Sequence, residues 1–300
     1  METLQQVILQ EMNELRYSRK HIDEKIREEI KNNPDMLERV EAGVESLQEY
    51  MQGQYYDSKM KRIEQLKALN LEELVMEIFV GIAYIQREEL FTSVTAQLAS
   101  RLNFSDKVDA IKTVAEIVAV LGQMDVFDIT KADRQASLMV VSCIPLSERL
   151  IDYINHSQYL PPMVCEPLEL THNYSSGYLT HNDSLVLGRG NHHDGDLCLD
   201  VLNIMNSVPL KMDTDFLSQF EEEPTFDLDT QDKIDDWNIF KKQSYEFYSL
   251  LTSQGNKLYF NHKVDKRGRS YCQGYHLSTQ GTAFKKAMLE LADEELVEGI

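Results

Sequence analysis

The chain has 300 residues, enough for one large or two modest domains with room to bury a core. Its apolar share of 42% and charged share of 27% are those of an ordinary globular chain, and no apolar run approaches the roughly 18–20 residues of a membrane span. Fifty acidic against thirty basic residues give a net charge of −20, which argues against a general nucleic-acid coat.

The opening METLQQVILQEM is acidic and amphipathic, so it does not read as a signal peptide. Cys143, Cys165, Cys198 and Cys272 lie far apart with no Cys-x-x-Cys pair, which points to reduced thiols rather than a disulfide framework or zinc site. From residue 2 to about 122 the pattern is helical almost throughout. Leu4, Val7, Ile8, Met12 and Leu15 keep helical spacing, and NLEELVMEIFVGIAYIQREEL is apolar enough for a buried helix. Pro34, after KNN, opens a helix rather than interrupting one. In NFSDKVDAIKTVAEIVAVLG, Ser105 is the expected N-cap and Gly122 the stop.

A β signal follows. MDVFDIT and SLMVVSCI flank the polar turn KADRQA (131–136), which predicts a hairpin. YLPPMVCEPLEL is Pro-punctuated and extended, and SGYLTHNDSLVLGRGNHHDGD reads as short strands and loops. LCLDVLNIMNSVPL returns to a helix broken near Pro209. Ten acids and one lysine between 213 and 236 mark an exposed connection before the helix DKIDDWNIFKKQSYEFYSLLTS. KLYFNHKV is a strand candidate and TAFKKAMLELADEEL a final helix.

Few of these segments suggest chemistry. His192, His193, Asp194 and Asp196 invite a metal reading, but adjacent histidines rarely bind one ion and the segment is a polar, Gly-rich loop. GRG at 188–190 is too short for a phosphate loop, and no acid pair stands out by spacing as a general acid and base. The sharper signal is an island of positive charge. Residues 257–286 carry seven bases and one acid, whereas 151–250 carry eighteen acids and five bases, so the contrast is local. At its centre, in DKRGRSY, Gly268 permits a bend, Arg267 and Arg269 can present guanidinium forks to phosphates, and Tyr271 can pack on a base or sugar. Strand alternation would place Arg267, Arg269 and Tyr271 on one face. That suits tracking a nucleic-acid backbone without reading its sequence. The blander alternative is a solvated basic face.

The longer window KLYFNHKVDKRGRSY…STQGTAFKKAMLELA resembles the start of the palm in phage-type (T-seven-like) RNA polymerases, the family that includes the mitochondrial enzyme. In that family an aromatic-rich strand leads into Asp-x-Arg-Gly-Arg-x-Tyr, then a Gln-Gly turn and a helix of Lys-x-x-Leu-x-Leu-Ala type. The matching positions are Asp265, Arg267, Gly268, Arg269, Tyr271, Gln280, Gly281, Lys286, Leu289, Leu291 and Ala292. Upstream, LPPMVCEPLEL with SGYLTHNDSLVL is similar to the family's Pro-Met-Val-x-x-Pro-x-x-Trp and Gly-Gly-Tyr segment. LDVLNIMNSVPLKMDTDFL is similar to its Leu-Asn-x-x-Gln-x-Thr-x-Trp-x-Ile-Asn helix through Leu202, Asn203, Ser207, Met212 and Leu217. The hairpin at 124–144 falls where the family places its DNA-intercalating hairpin, and the matches cover roughly residues 115–300.

Departures shape what the resemblance implies. Leu170 and Leu210 stand where the family has tryptophans and Asp213 where it has asparagine, and the thumb segment is short. The family's two magnesium-binding aspartates, fingers helix and specificity loop would lie beyond Ile300. The chain therefore looks most like the smaller, N-terminal subunit of the split polymerase of N-four-like bacteriophages, and LELADEELVEGI is expected to be a natural end.

The expectation is an α+β protein: a helical N-terminal domain (1–122), a mixed hairpin and loop region (123–212), an acidic connection with a shortened thumb-like helix (213–255), and the first strand and helix of a palm (256–300). No catalytic residue or metal ligand is expected on this chain, and Mg2+ would be held by a second polymerase subunit carrying the rest of the palm and the fingers. Lys266, Arg267, Gly268, Arg269, Tyr271 and Lys286 are the expected nucleic-acid contacts, oriented by Asp265, Gln280 and Gly281. Lys131, Arg134 and Gln135 would form a DNA-contacting hairpin turn. Ala287, Met288, Leu291 and Ala292 would face the partner subunit. The resemblance further implies a DNA template (single-stranded in one version), an RNA product, a helper that binds single-stranded DNA, no membrane, and the cytoplasm of an infected bacterial cell. The alternatives are a non-enzymatic DNA-binding or recruitment factor and a helical interaction protein with an incidental basic loop.

Overall fold

A computed structural model describes residues 4–100, 104, 106–131, 137–157, 159–182, 184–188, 191 and 193–293. It is α+β, with helices predominating and three small antiparallel sheets among the described residues. The chain divides into two compact units, one made of Arg19–Asn155 and the other of Met1–Ser18 together with His156–Ile300. This differs from the boundaries read from sequence. The first helix, α1 (Leu4–Arg16), belongs with the C-terminal part, and the hairpin expected to open a second segment lies in the helical unit.

The 19–155 unit is built around a helix that is apolar on nearly every side. Helices α2 (Arg19–Lys31), α3 (Pro34–Gln52), α4 (Asp57–Lys67) and α5 (Leu71–Ala83) come first. Nine positions of α5 between Leu74 and Ala83 are buried, with only Glu77 of that run excepted. Around it α2 places Ile22, Ile26 and Ile30 at four-residue spacing, each fully burying a side chain that stabilises by about 1.5–3 kcal/mol. Pro34 is the first residue of α3, as the sequence predicts, and the Asn33 side chain caps the helix by accepting from the Asp35 and Met36 N–H groups. Gly43 lets α3 approach closely, since a Cβ there would lie 3.0 Å from Leu121 and 3.1 Å from Val75.

Strand β1 (Glu89–Leu90), α6 (Phe91–Ala99) and α7 (Lys107–Leu121) follow. Asp106 caps α7 by accepting from the Asp109 N–H at 2.8 Å, and Ser105, the expected cap, lies outside the described residues. The Asp106 carboxylate is a good cap because it is an acceptor with the charge favoured at a helix N-terminus. Helix α7 stops at Gly122, and Asp125 then takes a left-handed conformation. The expected hairpin is β2 (Phe127–Lys131) against β3 (Leu138–Ser142), in register Phe127↔Ser142 to Lys131↔Leu138. The two-residue β1 joins the other edge of β3, a strand too short to carry a sequence pattern. Helix α8 (Glu148–His156) closes the unit. Arg62 of α4, almost fully buried, forks onto Glu116 of α7 at 2.8 and 3.2 Å, and Tyr50 donates to the same carboxylate. Burial pushes the Glu116 carboxyl up, but the Arg62 and Tyr50 hydrogen bonds hold it below its ordinary range.

The other unit is more irregular. From 157 to 198 the described backbone forms no helix or strand, only isolated bridges such as Met163↔Tyr259 and Val186↔Val264. Then come α9 (Leu199–Asn206), β4 (Leu210–Met212), α10 (Thr214–Gln219), the 23-residue α11 (Gln231–Ser253), β5 (His262–Val264), β6 (Ser270–Cys272), α12 (Ala283–Ala287) and β7 (Leu289–Leu291). Between α10 and α11 the acidic connection is mostly exposed. The main core joins Phe247 and Leu251 of α11 to Leu258, Phe260, Leu277 and Met288.

One expectation fails here, and a second feature was not foreseen, each for a clear reason. The final helix ends at Ala287, and Leu289–Leu291 instead pairs antiparallel with β4, Leu210↔Leu291 to Met212↔Leu289. LEL alternates with a period of two, so packing beside an open strand edge overrides the helical continuation. The second concerns α1. Its apolar stripe points outward, with Leu4 76% and Met12 60% exposed, while Gln10, Asn13 and Glu14 are buried. The loop backbone opposite has no ladder to satisfy its N–H groups, and the polar side of α1 does so. Gln10 Oε1 accepts from the Val164 N–H at 2.9 Å. Asn13 exchanges two side-chain hydrogen bonds with Gln254. The Glu14 carboxylate accepts from the N–H groups of Leu179, Thr180 and His181, from the Thr180 hydroxyl and from Gln10.

Candidate nucleic-acid interface

The charged island occupies the turn of a hairpin. Strands β5 and β6 pair from His262↔Cys272 to Val264↔Ser270, leaving Asp265–Arg269 as the connection. Its geometry follows from Asp265. The Asp265 N–H donates to the Arg269 carbonyl and the Gly268 N–H to the Asp265 carbonyl, both at 2.9 Å, closing the loop through its backbone. Carboxylate oxygen Oδ1 accepts from the Arg267 and Arg269 N–H groups at 2.9 and 3.1 Å. This is how an Asx side chain replaces backbone acceptors in a turn. Gly268 has φ +79°, a left-handed conformation that glycine adopts without strain. Only KLYFNHKV's last residues form a regular strand, because Leu258 and Tyr259 make isolated bridges to Leu210 and Met163 instead.

The side chains are placed unequally. Arg269 turns back on Asp265, with Nε 2.7 Å and an NH2 group 2.6 Å from Oδ2. Burial would raise the Asp265 carboxyl, but the Arg269 side chain and the backbone donors of Arg269 and Arg267 outweigh it and lower it to about 2. Arg269 also lies 5.6 Å from the centroid of the Tyr271 ring, whose hydroxyl is 3.4 Å from Asp265 Oδ2. Arg267 is 75% exposed and reaches Oδ2 only at 3.6 Å, and Lys266 is exposed beside it. Arg267, Arg269 and Tyr271 all approach Asp265 Oδ2, at 3.6, 2.6 and 3.4 Å, but strand alternation is not what brings them there. Arg267 sits in the turn rather than on a strand, so alternation does not apply to it.

Gln280 orients the far side of the hairpin. Its Oε1 accepts from the Cys272 N–H at 2.9 Å and its Nε2 donates to the Ser270 carbonyl at 3.2 Å, so one amide completes the open edge of β6. At Gly281 an added Cβ would lie 2.9 Å from the flexible Lys285 side chain, so the position is tight without demanding glycine. Two amides on α9 support the hairpin and its surroundings. Asn206 Oδ1 accepts from the His262 N–H at 2.9 Å, and Asn203 exchanges two hydrogen bonds with the Leu170 backbone. Asn206 was not singled out from sequence, and its only signal is the three-residue spacing from Asn203.

The remaining expected residues are scattered. Lys286 is exposed on α12. Met288 is 0% exposed in the core of its own unit, so it cannot face a partner; the chain turns from helix to strand there and points it inward. Leu291 is 62% exposed, Ala287 is exposed and Ala292 is half-buried with its N–H on the Pro209 carbonyl. Lys131 ends β2, while Arg134 and Gln135 lie outside the described residues. In the histidine-rich loop Asp194 accepts from the Tyr174 hydroxyl at 3.0 Å, and His192 lies outside the described residues.

No family model matches the chain. Over an alignment of 145 residues the chain is 30% identical to a protein described as a probable DNA-directed RNA polymerase from Gelasinospora sp. (strain G114). The match covers 43% of this chain, and the chain spans 17% of that relative's length.

Proposed function

We propose that this chain is the template-positioning part of a phage-type DNA-directed RNA polymerase and that it works with a second chain supplying the catalytic aspartates, their Mg2+ and the fingers. One observation carries the reading: a rigid turn, locked by Asp265, projects Lys266, Arg267 and Arg269 from an otherwise acidic molecule. The similarity to a probable DNA-directed RNA polymerase supports it from outside the geometry.

In this reading the exposed Arg267 and Lys266 contact phosphates of the template or of the RNA–DNA hybrid. Arg269 has a double part, bracing the turn through Asp265 while its side chain stays 54% exposed to a phosphate. Because the contacts are to phosphates, they hold register without choosing sequence. The surrounding acidity weakens affinity for duplex DNA, which favours a single-stranded template or a helper that delivers one. The setting proposed is the cytoplasm of a phage-infected bacterium. Leu291, Ala287 and Ala292 remain the proposed partner contacts on the C-terminal side.

The outward apolar stripe of α1 favours a second reading, a recruitment factor that docks proteins and does no chemistry. RNA synthesis separates the two. The chain alone is expected to make no RNA, and addition of the chain with which it co-purifies should restore synthesis. Arg267→Ala should then weaken template binding for all sequences alike and lower the salt dependence by about one unit of slope. Synthesis by the partner without this chain, or an unchanged salt slope in Arg267→Ala, would defeat the proposal.

A further inference from the structure

Beside α11 lies a cavity of about 270 Å³ that the nucleic-acid reading does not use. Its wall is aromatic. The Trp237 ring stacks on Phe240 with centroids 5.3 Å apart at 27°, and Phe226 meets Trp237 edge-on at 6.1 Å. Tyr275, itself stacked at 3.8 Å on Tyr159, closes the side next to Phe240. The polar lining is acidic: Glu222, Glu223 and Asp236 stand against the single cation Lys285.

That lysine is held within the wall, where Glu222 also attracts its charge. Its ammonium donates to the Tyr275 carbonyl at 2.7 Å and lies over the rings of Phe240 and Tyr275, 4.9 and 5.5 Å from their centroids. The wall is thus already seen to accept a cation on its aromatic faces. Glu222 accepts from the Thr282 hydroxyl through Oε1, whereas its Oε2 is buried with no hydrogen-bond partner. An orphaned carboxylate oxygen is costly, and rotation about its soft terminal torsion would offer it to a donor entering the cavity.

We infer that this cavity binds an arginine side chain presented by a protein partner. A guanidinium is planar, so it stacks on indole and phenyl faces. It is cationic, so it suits a net-acidic lining, and its fork of N–H donors matches an unpaired carboxylate oxygen. A nucleic acid fits worse, because three carboxylates would face its phosphates. The inference does not depend on the polymerase reading, since any partner with an accessible arginine meets it.

Trp237 is the one tryptophan of the chain, so its fluorescence reports on this cavity alone. The full-length chain is titrated with N-acetyl-arginine amide, with the lysine analogue, and with the citrulline analogue, which keeps the shape and loses the charge. Arginine is expected to give a saturable change and to bind about tenfold or more tightly than citrulline, the factor of one charge-assisted hydrogen bond. Glu222→Gln, which can keep the Thr282 contact, should lose that preference, and Asp236→Asn should weaken it less. Should Glu222→Gln fail to fold, Trp237→Ala followed by calorimetric titration replaces it and should lose arginine binding, whereas undiminished binding would overturn the inference. No saturable signal, equal binding of citrulline and arginine, or tighter binding of adenosine monophosphate than of arginine would overturn the inference.

Discussion

Glu14 offers the sharpest test of the inverted first helix. Its carboxylate takes five hydrogen bonds: Oε1 from Gln10 at 2.9 Å and the Leu179 N–H at 2.8 Å, and Oε2 from the Thr180 N–H at 2.6 Å, the Thr180 hydroxyl at 2.7 Å and the His181 N–H at 3.0 Å. Glu14→Gln keeps the shape but puts an NH2 group where one oxygen stood. Placed at the Oε1 position, it faces the Leu179 N–H and the Gln10 amide, so two acceptor contacts become donor against donor. Gln10 cannot simply flip, because its own oxygen holds the Val164 N–H. Two hydrogen bonds to a charged group at about 1.5–3 kcal/mol each, lost in a buried site, give an expected destabilisation of roughly 3–6 kcal/mol.

The pH dependence carries the sign. Burial pushes the Glu14 carboxyl up, but hydrogen bonds from Gln10, Leu179 and Thr180 prevail and hold it below its ordinary range. Its stabilisation is therefore full above the ordinary glutamate range and fades as pH falls through the lower folded value. Urea unfolding followed by far-ultraviolet circular dichroism at neutral and at acid pH measures both. The wild type and Glu14→Gln should differ strongly at pH 7 and converge in acid. A neutral-pH difference below about 1 kcal/mol, or one that does not shrink in acid, would refute the account.

Two further outcomes are expected. Met288→Asp should cost more than about 4 kcal/mol by burying a charge in the core, whereas Leu291→Asp on the exposed side of β7 should stay within roughly 0.5 kcal/mol for the isolated chain, read by urea midpoints. Gly268→Ala should cost about 1–2 kcal/mol from the left-handed φ alone, since an added Cβ meets nothing within 4 Å, and Gly268→Asn should recover part of it in the same measurement.

The helical unit was readable because its signals are local and strong. Pro34, the four-residue isoleucine ladder of α2 and the near-continuous apolar run of α5 each admit one reading. Periodicity also located α1, but it did not reveal which face is buried. Periodicity reports which side is apolar, and burial here was decided by backbone donors at 164 and 179–181 that no helical pattern contains. The final helix failed for a related reason: KKAMLEL is an acceptable helix, and only the open edge of β4, some eighty residues earlier in sequence, turns its last part into strand. At the basic turn the residue types were legible, while the division of labour among them was not. Asp265 engages Arg269 and leaves Arg267 outward, a difference set by one residue's step around a left-handed glycine.

The discontinuous unit has a consequence for how the protein comes to be made. Residues 19–155 are contiguous and can condense while later residues are still being synthesised, as domains generally do. Helix α1 cannot, because the groups that satisfy Gln10, Glu14 and Asn13 arrive 154, 166 and 241 residues later. Until then it is a helix whose polar side has nothing to hold and whose apolar side is open to any passing surface. Its docking must wait for α11 and close the longest loops in the molecule, the step where chain entropy resists most. Maturation of the newborn chain should therefore end at its beginning, with residues 4–16 the last to become protected from hydrogen exchange during refolding.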